Sequence, residues 1–177
     1  MGLWKMLAEE IQVIQKKDPA RPSTLEVLLY PGFRAIINYR IAHQLYLKNH
    51  RFWARYLSER AKRKTGIEIH PGAQIGKNLF IDHGTGLVIG QTAIVGSDVT
   101  LYHGVTLGGT GKEQGKRHPT VEDDVMIGSG AKVLGNITIG QNSKIGANAV
   151  VLKNVASNTT VVGVPAKRVR RRKNEKK

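Results

Sequence analysis

The sequence predicts an α+β protein, with a short N-terminal helical domain followed by a parallel β-helix that carries one long inserted loop. Two observations predict this fold. Apolar residues recur at helical spacing in the first third of the chain, and an aliphatic residue then recurs every six positions. Each six-residue repeat supplies one strand and one corner, and three repeats make one coil. The expected parts are a helical domain over 1–65, a β-helix over 66–166 with a loop at about 108–120, and a basic tail over 167–177.

Four helices are expected in the N-terminal segment, because its apolar residues lie three or four positions apart. The first helix ends at a turn over residues 18–22, which contain two prolines. A short helix over residues 24–30 is expected to stop at Pro31. Two further helices follow, around residues 36–46 and 53–61. Aromatic side chains are concentrated in this segment, and we expect them to lie in its core.

Thirteen aliphatic residues share the six-residue register, which predicts about four coils with these side chains pointing inward. The register has two interruptions, a two-residue slip after Ile81 and a longer insertion after Leu107. Small or branched residues four positions further on are expected to fill the corners, and Thr85 takes this place at the slip. The register comprises Ile69, Ile75, Ile81, Ile89, Val95, Leu101, Leu107, Val121, Ile127, Val133, Ile139, Ile145 and Val151.

Composition excludes several kinds of site. The chain has no cysteine, which excludes a disulfide framework, a thiolate metal site and a cysteine nucleophile. No apolar stretch is long enough to span a membrane and no signal-peptide core is present, so a cytoplasmic location is expected. The net charge is +15, and eight of the last eleven residues are basic. This tail is either a solvated charge run or a segment that binds a polyanion, although nucleic acid is not the expected partner.

Five motifs in the repeat region are specific enough to indicate a family. They read IEIHPGAQIG (67–76), IDHGTGLVIG (81–90), VTLGGTGKEQGKRHP (105–119), MIGSGAKVLGN (126–136) and VVGVPAK (161–167). Together with the segments 18–20 and 28–46, they resemble the serine O-acetyltransferase family of hexapeptide-repeat acyltransferases, and the resemblance covers most of the chain. It implies a left-handed β-helix, acetyl-CoA as the acetyl donor and L-serine as the acceptor. The spacing of the remaining histidines does not match metal ligands, so we predict no metal and a structural or surface role for His43, His50, His70 and His103.

His83 is the candidate general base. Attack of an alcohol on a thioester needs a base that is neutral near working pH, and imidazole meets this need. The segment 82–84 follows the inward-pointing Ile81, so we expect His83 at a corner where a cleft can form. Spacing alone leaves an exposed surface histidine equally open, and the resemblance implies the base. Glu68, close to one coil upstream, is expected to orient the imidazole, a position where the family often has aspartate.

The resemblance also implies the residues that bind the acceptor. Asp18 and Asp82 match family positions that contact the acceptor, and their carboxylates suit its ammonium group. Arg117 and His118 end the inserted loop and match positions that contact its carboxylate. Gln91 lies where the family usually has glutamate, and a neutral amide cannot pair with an ammonium group. From the residues alone, Asp18 is equally a plain turn residue.

Residues expected to bind acetyl-CoA are spread along the repeat region. The glycine-rich start of the loop exposes backbone amides, but it lacks the first glycine of a P-loop. The resemblance implies that the pantetheine arm follows the groove between neighbouring prisms, and that a lysine near the end of the repeats meets a phosphate. The expected residues are Gly109, Thr110, Ser129, Lys144, Ala147 and Lys167.

Other interpretations of the sequence stay open. Gln91 allows an acetyl-CoA-dependent O-acetyltransferase that acts on a sugar or antibiotic hydroxyl, and the basic tail allows a polyanion-binding scaffold. The resemblance implies a homotrimer with active sites shared between subunits, and leaves a dimer of trimers open. Cysteine synthase, which docks on a C-terminal isoleucine in the family, is a doubtful partner because this sequence ends with lysine.

Overall fold

The computed structural model describes residues 3–111 and 114–169. The helices in these residues are α1 Leu3–Lys17, α2 Thr24–Val27, α3 Pro31–Leu47 and α4 Arg51–Thr65. Ser23 and Glu26 form a capping box that begins α2, and Gly66, in the left-handed conformation, ends α4. The expectation that Pro31 stops the short helix is wrong. Pro31 is instead the first residue of α3, where its missing N–H leaves no hydrogen bond unmade.

Short strands follow the helices. In chain order they are β1 Glu68–Ile69, β2 Gln74–Ile75, β3 Phe80–Asp82, β4 Val88–Ile89, β5 Ile94–Val95, β6 Thr100–Tyr102, β7 Thr106–Gly108, β8 Thr120–Val121, β9 Met126–Ile127, β10 Lys132–Leu134, β11 Thr138–Ile139, β12 Lys144–Ile145, β13 Val150–Val151, β14 Thr160–Val162 and β15 Lys167–Arg168. They form three sheets, namely sheet A (β1-β4-β7-β10-β13), sheet B (β2-β5-β8-β11) and sheet C (β3-β6-β9-β12-β14-β15).

The chain passes through sheets A, B and C in turn, which makes a three-sided prism. Strands of successive coils pair in parallel, and the pairing of β14 with β15 is antiparallel. The predicted fold class, N-terminal helices followed by a parallel β-helix with one inserted loop, is therefore confirmed. We call the turn from sheet C to sheet A the CA corner, and the turn from sheet A to sheet B the AB corner.

The predicted aliphatic ladder forms the core of the prism. Twelve of the thirteen register residues are buried, and Ile75 is partly buried. Sheet A has five strands, so the β-helix has about five turns rather than four. The difference arises because Val155 and β14 continue the coil beyond Val151, the last residue of the register.

The two-residue slip lengthens one CA corner. The repeat from β1 to β4 is two residues longer than the repeat from β4 to β7. The expectation that Thr85 fills this corner is wrong, because Thr85 is exposed and Leu87 is fully buried in its place. The two extra residues therefore widen the corner that carries His83.

The helical segment packs on the first coil. Ile36 and Tyr39 of α3 join the core of the β-helix, and the Tyr39 hydroxyl donates to the carbonyl of Ala73 at 2.7 Å. The expectation of buried aromatic residues holds for Tyr39, but it is wrong for Trp53 and Tyr56 of α4, which are 58% and 48% exposed in this chain. Among the described residues, no helix combines the length and the apolar character that crossing a bilayer requires.

Candidate active site

His83 lies at the lengthened CA corner and is open to solvent. Its side chain is 79% exposed, and its backbone is left-handed with φ 58°. Among residues other than glycine, histidine is one of the few types that are enriched in this conformation. Gly84 is also left-handed, and a Cβ there would lie 2.5 Å from Cδ1 of Ile67. The corner therefore depends on glycine beside His83, and it holds the imidazole outside the prism.

Glu68 does not contact His83 in this chain. Its backbone N–H donates to the carbonyl of Leu87 at 2.9 Å, but its carboxylate pairs with Nζ of Lys62 at 2.5 Å. Among the described residues, the carboxylate within 4 Å of His83 is that of Asp82, with 3.8 Å between Oδ1 and Nε2. The expected orienting hydrogen bond is therefore absent here, and the Glu68 carboxylate instead pairs with Lys62, near the end of α4.

Asp18, Tyr30 and Asp82 lie together beside His83. Asp18 accepts hydrogen bonds from the backbone N–H of Ala20 at 2.8 Å and from the Tyr30 hydroxyl at 3.0 Å. The hydrogen bond to Asp18 raises the pKa of Tyr30, with smaller contributions from burial and from nearby carboxylates that include Asp82. Asp18 is thus both a turn residue and a member of this cluster. We call Asp18, Tyr30, Asp82 and His83 the acidic half-site.

The end of the inserted loop, residues 114–119, folds back on the preceding coil at the AB corner. Nη2 of Arg117 donates to Oε1 of Gln91 at 2.8 Å, and Nε2 of Gln91 donates to the Tyr46 hydroxyl at 3.3 Å. The guanidinium of Arg117 is therefore held by the uncharged amide of Gln91. This contact does not neutralise the positive charge of Arg117.

His118 is buried against the same corner. Its ring lies over Gly90, where a Cβ would come within 2.0 Å of Cδ2. Its Nδ1 lies 3.1 Å from the backbone nitrogen of Thr92 and 2.8 Å from Thr92 Oγ1. Burial, followed by the charges of Arg117 and Lys116, lowers the pKa of His118. The imidazole is therefore neutral near pH 7. We call Gln91, Arg117 and His118 the basic half-site.

His70 adjoins the basic half-site, whereas its sequence position predicts only a structural or surface role. Its Nδ1 accepts a hydrogen bond from the Gly72 N–H at 3.0 Å, and its ring meets the Tyr46 ring edge-on. Burial lowers the pKa of His70 to about 4, with further lowering by neighbouring cations that include Arg117. His70 is therefore a second neutral imidazole at this corner.

Within one chain, the two half-sites lie at different edges of the prism. The acidic half-site is at the CA corner and the basic half-site at the AB corner, so sheet A lies between them. Among the described residues, no hydrogen bond or ion pair joins a member of one half-site to a member of the other. The chain therefore presents two separate half-sites.

Two of the residues expected to bind acetyl-CoA lie along the CA edge. Ser129 and Ala147 are at CA corners of later coils than His83. A Cβ at Gly128, beside Ser129, would lie 2.8 Å from the backbone nitrogen of Ala147. Small residues therefore let successive coils stack closely at this edge.

The other expected acetyl-CoA residues lie apart from these two. Lys144 and Lys167 line one polar surface groove, together with Arg168, which the sequence did not indicate. Gly109 and Thr110 begin the inserted loop at the AB corner. Residues 167–168 form β15, and the rest of the predicted basic tail lies outside the described residues from 170 onward.

Comparison with known proteins gives the family. A sequence model of the bacterial transferase hexapeptide (six repeats) family matches residues 118–153. The serine acetyltransferase of Bacillus licheniformis is 56% identical over 165 residues, which cover 93% of this chain and 76% of the relative. The chain belongs to the serine acetyltransferase family. It is therefore an acyltransferase, as the sequence predicted.

Solved serine acetyltransferases share the fold. The enzyme from Brucella abortus strain S19, in complex with coenzyme A, is 48% identical with a TM-score of 0.89, and the match covers 94% of this chain and 67% of that chain. The soybean serine acetyltransferase complexed with serine is 45% identical with a TM-score of 0.91, and the match covers 94% and 69%.

Sequence reasoning missed Tyr30, His70 and Thr92. Tyr30 lies in the turn between α2 and α3, and Thr92 occupies a corner where threonine is ordinary, so neither carries a local signal. His70 directly follows β1, just as His83 directly follows β3, and this position is its one available signal. No group of three or more potential metal ligands is found in the part of the chain that the structure describes, and the absence of a metal stays a prediction.

Proposed function

We propose that this chain transfers the acetyl group of acetyl-CoA to the hydroxyl of L-serine, giving O-acetyl-L-serine and CoA, the first step from serine to cysteine. The separation of charge between the half-sites carries this proposal. The acidic half-site has two carboxylates, Asp18 and Asp82, that suit an ammonium group. The basic half-site has Arg117 and the neutral His118, which suit a carboxylate. A free amino acid carries both groups.

The proposed active site joins the acidic half-site of one copy to the basic half-site of a second copy. This arrangement follows because sheet A separates the half-sites within one chain. A cyclic assembly lets every copy contribute one half-site to each of two neighbours, and a homotrimer of three-sided prisms is the simplest such assembly. We therefore propose that the functional unit is a homotrimer.

His83 acts as the general base in the proposed reaction. Its neutral imidazole takes the serine hydroxyl proton while the serine oxygen attacks the thioester carbonyl, and it then returns the proton to the sulfur of CoA as the thioester bond breaks. The Asp82 carboxylate, 3.8 Å from Nε2, stabilises the imidazolium that forms. The orienting role expected of Glu68 has no contact to support it, because its carboxylate pairs with Lys62.

Acetyl-CoA is proposed to lie along the CA edge, where its acetyl group can reach His83. The small residues Ser129 and Ala147 leave room for the pantetheine arm. Lys144 and Lys167, which share a polar groove on sheet C, supply positive charge for the phosphates. Gly109 and Thr110 supply loop backbone from the neighbouring copy.

The sugar acceptor loses its main support. That support is the inability of the Gln91 amide to pair with an ammonium group. In the structure this amide binds Arg117 and Tyr46, so Gln91 has a role that does not involve the ammonium group at all. Two other carboxylates, at the opposite half-site, are available for that charge.

Release of CoA, followed with a thiol reagent, tests the proposal. The acceptors compared are L-serine, L-homoserine, a galactoside and none, and the chain adds no background thiol because it lacks cysteine. We expect turnover with L-serine. Turnover with the galactoside alone would overturn the proposed acceptor, and no turnover with any acceptor would favour the polyanion-binding alternative.

A further inference from the structure

The hydroxyl of Thr92 uses its whole hydrogen-bonding capacity at the end of the inserted loop. Its Oγ1 accepts from the backbone N–H of Arg117 at 3.0 Å and from the backbone N–H of His118 at 3.1 Å. A hydroxyl has two acceptor positions and one donor. Both acceptor positions are taken, so the contact of 2.8 Å with Nδ1 of His118 is the one that the hydroxyl proton makes.

A second contact from Thr92 gives the same protonation state for His118. The backbone N–H of Thr92 points at Nδ1 at 3.1 Å, and a backbone N–H can only donate. Nδ1 therefore receives two hydrogen bonds and carries no proton. In the neutral imidazole the proton must lie on Nε2, which makes Nε2 a donor.

Nε2 of His118 is free to serve a ligand. No hydrogen bond among the described residues uses this atom. Every fully buried side-chain nitrogen in these residues has a hydrogen-bond partner, so Nε2, which has none, must be accessible to solvent. The ring can lie here because residue 90 is glycine; a Cβ at that position would be 2.2 Å from Nε2.

The surroundings oppose the charged form of His118. The groups that face it are the cations of Lys116 and Arg117 on its own loop, and His70 on the first coil. A proton on Nδ1 would also meet the N–H of Thr92, donor against donor. The neutral form with the proton on Nε2 is therefore the one that the site selects.

We infer that Thr92 is a positioning residue: it fixes His118 as the Nε2–H tautomer and ties the end of the loop to the AB corner, so that Nε2 donates to the acceptor's carboxylate beside Arg117. This inference rests on the proposed function, because it assigns the donor a carboxylate to bind. Thr92 acts through His118 and touches no substrate itself.

Kinetics of three variants test the inference. Thr92→Val keeps the shape but removes the hydroxyl, and we expect the KM for L-serine to rise about tenfold, the size of one lost hydrogen bond to a charged group, with kcat and the KM for acetyl-CoA little changed. Thr92→Ser keeps the hydroxyl and should restore the wild-type KM. Thr138→Val is the control for the threonine-to-valine change, because Thr138 lies on sheet B and its hydroxyl makes no hydrogen bond among the described residues.

Nitrogen NMR of histidine-labelled protein gives a readout that a general loss of structure would not mimic. The wild type should show His118 as the Nε2–H tautomer, assigned by its absence in His118→Asn. An Nδ1–H tautomer would overturn the inference even if Thr92→Val failed to fold. The inference would also be overturned if the wild type and Thr138→Val turn over serine while Thr92→Val shows an unchanged KM for L-serine. No serine turnover by the wild type would instead contradict the proposed function.

Discussion

Gln91 holds Arg117 in place: its Oε1 accepts a hydrogen bond from Nη2 at 2.8 Å, and its Nε2 is anchored on the Tyr46 hydroxyl. The amide bridges the inserted loop to α3, two segments far apart in sequence. Arg117 would otherwise be a long side chain on an exposed loop, free to adopt many rotamers. The uncharged partner orders the guanidinium without neutralising it.

Substitutions at Gln91 should separate these two effects. Gln91→Leu removes the partner of Arg117, so we expect the KM for L-serine to rise about tenfold, as when one hydrogen bond to a charged group is lost. Gln91→Glu keeps an acceptor for the guanidinium, so its KM should change less. Steady-state kinetics on both variants is the measurement. An unchanged KM in Gln91→Leu would show that the contact does not order Arg117 for the acceptor.

His83 should be essential for turnover and dispensable for folding. We expect His83→Asn to lower kcat by about 10²- to 10⁴-fold, the usual contribution of a general base. Asparagine tolerates the left-handed backbone at this corner, so the melting temperature should stay close to that of the wild type. His50→Asn, at an exposed histidine, is the matched control. Wild-type kcat in His83→Asn would remove this residue from the mechanism.

The β-helix could be predicted in detail because its period records which side chains point inward. Leu101 and Ile127, like the rest of the ladder, follow from spacing alone. The half-sites could be predicted only in part, because they form between coils and between the loop and the prism. Nothing local to Thr92 indicates that it receives the end of a loop more than twenty residues later. Nothing local to Lys62 indicates that it pairs with Glu68.

Arg40 should contribute strongly to stability. Its guanidinium donates to the carbonyls of Ile75 and Gly76 and pairs with the buried Glu10 at 3.4 Å, which joins α1, α3 and the first coil. Arg40→Met leaves a buried carboxylate uncompensated, and we expect a loss of about 3 kcal/mol in the free energy of unfolding. Urea denaturation measures it, with Arg34→Met on the exposed side of α3 as the control. An equal loss in both variants would contradict this role.

The same variant should make stability depend on pH. Burial raises the pKa of Glu10, and Arg40 opposes this effect. The folded state therefore binds a proton more readily than the unfolded state, and stability falls as pH rises from the unfolded pKa through the folded one. Arg40→Met removes the opposing charge. Its loss of unfolding free energy relative to the wild type should therefore be larger at about pH 7.5 than at about pH 5. The double variant with Glu10→Gln should lose this dependence; a deficit independent of pH in Arg40→Met would exclude Glu10 as its cause.

Mixed assemblies test whether the active site is shared between copies. His83→Asn removes the base from the acidic half-site, and Arg117→Ala removes the cation from the basic half-site. If one copy supplies each half, random mixing of equal amounts leaves about a quarter of the sites with both halves intact. Two nearly inactive variants, refolded or expressed together, should therefore regain about a quarter of wild-type turnover. If both halves served one chain, every chain would carry a defect and the mixture would stay inactive. As a control for subunit exchange, a chain that carries both substitutions is mixed with an equal amount of wild type. When subunits exchange fully and the site is shared, about a quarter of the sites in this mixture are also intact.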